Sequence, residues 1–152
     1  MTLGHMQREA VEGSKQLEIR RAAIMALHRD RVSSHDAPAA LGAIFRFVRA
    51  LRFVPDPVGT QAIQSPRATL SLGAGNCAQR ATLLAAMARS IGIPARMSFR
   101  VIAANPRFPR GFSHVYVVAN LAGREISLDP TYATNPMGFE FPNPSRVGDF
   151  DL

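Results

Sequence analysis

The chain has 152 residues, 47% of them hydrophobic, and a formal net charge of +7, which is enough for one core and too little for two comfortable ones, so a single domain over residues 1–152 is expected. One cysteine, Cys77, excludes an internal disulfide framework and every cysteine-rich metal pattern. The charge comes from 17 arginines and one lysine spread along the chain without a block of like charge, and with neither a zinc-finger spacing nor an RNA-binding aromatic motif, nucleic acid is not an expected partner.

No apolar run approaches the roughly 18 to 20 residues that span a bilayer. The first ten residues include His5, Arg8 and Glu9 where a secretory leader would be apolar. A soluble chain without its own export signal is expected, and a lone thiol suits a reducing compartment.

Leu17, Ile24 and Leu27 are spaced to lie near one another on a helix, with Gly13 as a candidate interruption. Ser33, Ser34 and Asp36 are candidate N-caps and Pro38 suits a first turn. Leu41, Ile44, Phe45 and Val48 then follow the i, i+3, i+4, i+7 rule of a second helix ending near Leu51. The prolines between Val54 and Gly59 predict a connector. Leu84, Met87, Ala88 and Ile91 define a third helix, stopped by Gly92 and beginning near Asn76 and Cys77. Counting back through Ala81 places Cys77 on its inward face at the first turn.

From Ala95 to Val101 the period changes to two, with Met97, Phe99 and Val101 on one side and Arg96, Ser98 and Arg100 on a wet side. A loop at 105–111 leads to a strand from His114 to Ala119, and a turn near Gly123 to another from Arg124 to Leu128. The expected core covers about residues 36–132. Residues 133–152, with Pro136, Pro142 and Pro144, predict an irregular arm whose Phe139, Phe141 and Phe150 pack on the domain or on a partner.

A cysteine at a helix N-terminus is the placement that makes a thiol reactive, because unpaired amides and the helix dipole favour the thiolate. Its partners come from the hairpin. A four-residue loop between the strands sets His114 directly opposite Asp129, whereas a two-residue turn at Ala122 and Gly123 leaves the pair diagonal on the same face. A carboxylate on one imidazole nitrogen leaves the other to hold the thiol proton. Asp129 precedes a proline, so a turn in which it bonds the backbone near Thr131 is the competing role. Ser113 lacks the second glycine of a nucleophile elbow. His5, His28 and His35 have no HExxH or cysteine pair, so no metal is expected, and Gly73-Ala74-Gly75 lacks the lysine of a phosphate loop.

These residues resemble the transglutaminase-like superfamily. The run from Gly75 through Cys77 to Arg96 is similar to that family's nucleophile helix and following strand, Ser113-His114-Val115-Tyr116-Val117 to its histidine strand, and Ser127-Leu128-Asp129-Pro130-Thr131 to its aspartate motif, in the same order. The segment from Pro55 to Leu70 resembles what precedes the cysteine in small bacterial and phage members. Asn76 and Ala78 stand where many relatives have acidic residues, and tryptophan is absent. The resemblance implies an α+β, papain-like fold with helices packed on a small antiparallel sheet, and Cys77, His114 and Asp129 as catalytic residues. It implies a peptidase or amidase more than a crosslinking acyltransferase, acting through an acyl-thioester on a peptide or protein substrate, without cofactor. Calcium is not expected because no acidic cluster is visible. The alternative is a structural or assembly protein, for example of a bacteriophage particle, that binds partners through the C-terminal arm. The expected location is the bacterial cytoplasm, or the virion for a phage protein.

Overall fold

Helix Cys77–Ser90 is buried along almost its whole length, with every residue from Gln79 to Ala88 inside the protein. The computed structural model, which describes residues 3–55, 64–103, 114–140 and 145–152, builds the other elements around it. In chain order they are α1 (Leu3–Ser14), α2 (Leu17–Arg29), α3 (Ala37–Arg49), β1 (Arg52–Phe53), α4 (Pro66–Leu72), β2 (Ala74–Gly75), α5 (Cys77–Ser90), β3 (Arg96–Ala103), β4 (His114–Leu121), β5 (Arg124–Leu128) and β6 (Ser145–Asp151). The architecture is α+β. Helices α1 to α4 pack around α5, whose remaining side meets β4.

The connector expected at 54–59 and the loop expected at 105–111 lie partly or wholly outside the described residues, as do Ser113, Phe141, Pro142 and Pro144. Asp36 caps α3 by accepting from the Ala39 amide, with Pro38 in the first turn. The first thirty residues form two helices, and the break falls at Lys15 and Gln16 instead of Gly13. Gly13 stays helical and serves close packing: a Cβ there would meet Pro66 Cγ at 2.9 Å and Ala86 Cβ at 3.3 Å. On α2 the buried face is Ile19, Ala22, Ala23, Ala26 and Leu27, while Leu17 and Ile24 are exposed.

Four strands form one antiparallel sheet in the order β5-β4-β3-β6. Phe99, Val101, Val115, Val117, Ala119 and Leu128 join the helices in the main core, while Ile102, Tyr116 and Val118 form a second apolar cluster. Arg100 was expected on a wet face and is instead fully buried. Asp149 takes it bidentately at 2.8 Å, and Glu125 and Glu140 lie at 2.8 and 3.0 Å. Three carboxylates hold this guanidinium even more firmly protonated than usual.

The last residues also depart from the expected irregular arm. Ser145–Asp151 pairs with β3, Phe150 packs against the main core, and Glu140 accepts from Tyr116 Oη, Ser127 Oγ and Arg100. Met6, Ala10 and Ile19 belong to the same core as Leu84 and Val117, so buried packing extends on both sides of residues 36–132.

The close approach at Gly13 predicts that Gly13→Ala is destabilising by about 1 kcal/mol, because overpacking costs roughly 1–3 kcal/mol against about 1 kcal/mol of gained helix propensity. Denaturant unfolding checks the sign; a stabilised variant would mean that Pro66 gives way freely.

Candidate active site

Cys77 is the first residue of α5 and is half-buried. Asn76 caps the helix reciprocally: its Oδ1 accepts from the Gln79 amide at 2.9 Å, and its own amide donates to Gln79 Oε1 at 2.9 Å. This capping box fixes the first turn and with it the thiol. Its signal was present in the sequence as asparagine followed three residues later by glutamine.

His114 opens β4 and Asp129 directly follows β5. The hairpin between them takes the two-residue turn, with Ala122 and Gly123 both at positive φ (50° and 85°) and the Gly123 amide bonded to Asn120 Oδ1. That is the backbone of a type I′ turn, whose twist matches paired strands and which glycine adopts without strain. The register runs from Leu121↔Arg124 to Val117↔Leu128, so the next residue, Asp129, falls beside Tyr116 and diagonal to His114. The direct opposition that a four-residue loop would give is not realised.

Even so, His114 Nε2 and Asp129 Oδ2 lie 2.6 Å apart, both residues being buried. Asp129 Oδ1 accepts from the Thr131 amide at 3.1 Å. The contacts that the two alternatives for this carboxylate require are therefore both present, one at each oxygen. The Cys77 side chain also acts on His114, favouring its charged form. With Nε2 committed to Asp129, Nδ1 is left for the thiol.

Burial works against a charged His114, but the hydrogen bonds and charges of Asp129 and Cys77 outweigh it and push its pKa up to about 9. The imidazolium is thus the form that the surroundings favour at neutral pH. Two tyrosine rings flank it: Tyr116, buried, at 5.8 Å between centroids, and Tyr132, half exposed, at 6.0 Å. Burial first, and then Glu140, raise the pKa of the Tyr116 hydroxyl. Tyr132 was not singled out by the sequence, because its place beside His114 depends on how the chain turns after Asp129.

Residues 28–130 match the model of the transglutaminase-like superfamily. The chain belongs to that superfamily. No curated protein matches this superfamily member in sequence. Among solved structures, LapG of Legionella pneumophila is similar at 15% identity, with a TM-score of 0.56 over 99% of this chain and 84% of that one. Its calcium-bound form gives the same values. A candidate cysteine protease from Cytophaga hutchinsonii matches at 18% identity and a TM-score of 0.48, over 88% of this chain and 50% of that one. At these identities the LapG likeness establishes the fold alone.

Among the described residues of this superfamily member, no group of three or more histidine, cysteine, aspartate or glutamate side chains is arranged to hold a metal. The acidic side chains that do converge, Glu125, Glu140 and Asp149, surround the Arg100 cation. No helix among the described residues is long and apolar enough to cross a membrane.

A histidine whose folded pKa lies above its unfolded value of 6.5 contributes stability that is complete below pH 6.5 and lost as pH rises through about 9. NMR titration of the His114 ring should give a midpoint near 9, falling toward 6.5 in Asp129→Asn. An unchanged midpoint in that variant would remove Asp129 as a source of the shift.

Proposed function

We propose that the chain is a cysteine peptidase or amidase in which Cys77 is the nucleophile, His114 the proton carrier and Asp129 the carboxylate that orients it. The observation that carries this reading is the buried contact of Asp129 with His114, an imidazole whose charged form is favoured also by the thiol at the start of a helix. Residues 1–152 are taken as one working domain.

In the proposed reaction Cys77 Sγ attacks an amide carbonyl carbon while the imidazolium of His114 keeps the thiol proton. As the first helical residue, Cys77 has a backbone N–H without an intrahelical partner, which is placed to stabilise the oxyanion. Collapse of the tetrahedral intermediate breaks the C–N bond, and His114 passes its proton to the departing amine. The acyl-thioester is then attacked by water, from which His114 takes a proton, and the carboxylic acid product leaves as the thiol is restored. Asp129 fixes the ring by its Nε2 contact and stabilises the cation formed at each step. The resemblance to small prokaryotic members favours water over an amine as acceptor, and a peptide or protein as substrate.

Cys77→Ala should abolish hydrolysis of fluorescein-labelled casein while melting within a few degrees of the parent, since the change removes one sulfur atom from a half-buried site. Undiminished hydrolysis would remove Cys77 as the nucleophile, whereas a parent chain without hydrolysis would leave the alternative, a protein of particle assembly that uses the fold for binding. Asp129→Asn should lower kcat by about a hundredfold or more with a smaller change in KM, because an amide orients imidazole but supports its charge poorly. Equal kcat in the variant would assign Asp129 to the turn at Thr131 only.

A further inference from the structure

Two arginines are buried among the described residues, and their surroundings differ in kind. Arg100 is matched by three carboxylates. Arg80, on the first turns of α5 with Cys77, is 2% exposed and, among the described residues, hydrogen-bonds only to neutral backbone carbonyls. One terminal nitrogen donates to Val48 O at 3.0 Å and Arg49 O at 2.8 Å, and the other to Thr131 O at 3.2 Å. Nε is buried with no hydrogen-bond partner among the described residues.

These carbonyls come from two places. Val48 and Arg49 end α3, where the helix dipole attracts a cation; Val48 O also accepts from the Leu51 amide at 3.1 Å. Thr131 belongs to the turn whose amide is bonded to Asp129 Oδ1. A planar fork can reach both at once, which a lysine ammonium on its flexible stem cannot reproduce. A buried guanidinium with no carboxylate in hydrogen-bond contact is also costly, since burial of a charge is offset only by nearby opposite charge. Here burial lowers the Arg80 pKa, and the charges that act against it are Asp129 and Cys77. Because burial prevails, the cation is under-compensated, and added negative charge at the thiol stabilises it.

We propose that Arg80 is a positioning residue, clamping the turn after Asp129 and the end of α3 to the first turn of α5 while setting a fixed positive charge behind Cys77 and Asp129. The inference rests on the reading of Cys77, His114 and Asp129 as one reacting unit. Arg46 and Arg49 of α3, Arg52 of β1 and Tyr132 after β5 are the other ionisable residues of these neighbouring elements and stay unchanged in the test.

The full chain is compared with Arg80→Met and Arg80→Lys by the pH dependence of Cys77 alkylation with iodoacetamide, by kcat and KM on fluorescein-labelled casein, and by melting. In Arg80→Met the acid limb of alkylation should rise by about one pH unit, so that the rate at pH 6 falls about tenfold. Arg80→Lys keeps the charge but not the fork: its acid limb should stay in place while kcat falls about tenfold at unchanged KM. A folded Arg80→Met with the parent's acid limb overturns the proposal. Should that variant fail to fold, Arg80→Lys decides alone, and the parent's kcat in it also overturns the proposal. If the parent leaves casein uncleaved but the limb still shifts in Arg80→Met, the hydrolase reading fails and the role of Arg80 stands. If the parent cleaves casein and neither variant differs from it, only the role of Arg80 fails.

Discussion

A helix buried on all sides has to be thin, and α5 meets that constraint with five alanines among its fourteen residues. Small side chains let α1, α3, α4 and the sheet approach its axis together, as Ala86 does where Gly13 and Pro66 meet. Close packing at so many contacts leaves little freedom to slide or rotate. The thiol at the end of such a helix inherits that rigidity, because the capping box joins Asn76 and Gln79 to the same turn. Precision at Cys77 is therefore a product of the interior and is reinforced locally.

The elements legible in the sequence were those whose signals are local. The stripe of α5, the alternation of β3 and the histidine and aspartate strands all appear where short-range periods place them. The hairpin was legible only to a choice of two turns, since strand pattern does not determine loop length; Ala122 and Gly123 at positive φ realise the two-residue one. Helix α4 and the short ladder of β1 and β2 escaped because they are too brief to show a period. β6 escaped because its partner, β3, is more than forty residues away in the chain. Arg100 was read as a surface residue for the same reason: alternation assigns a side, and only distant carboxylates convert that side into an interior.

For the candidate site, Cys77, His114 and Asp129 were singled out because their separations follow a family order; in the structure His114 meets Asp129 directly, and Cys77 acts on the same imidazole. What surrounds them was not. Arg80 breaks an otherwise apolar stripe, and that irregularity was the one available signal of its buried contacts. Tyr132 and the Thr131 amide depend on the path of the chain after a proline, which composition does not specify. Motif order locates reacting groups, while tertiary packing determines the field in which they react.

The strand order β5-β4-β3-β6 has a consequence for synthesis. As the chain leaves the ribosome, α5, β3, β4 and β5 precede the strand that closes the sheet, so the hairpin of His114 and Asp129 can form while one side of β3 is still bare. During that interval Arg100 lacks the two oxygens of Asp149 that later neutralise it, and β3 offers unpaired amides and carbonyls to any neighbouring nascent chain. A message cut short before Ser145 would leave the edge of β3 open, and its product would be more prone to aggregate.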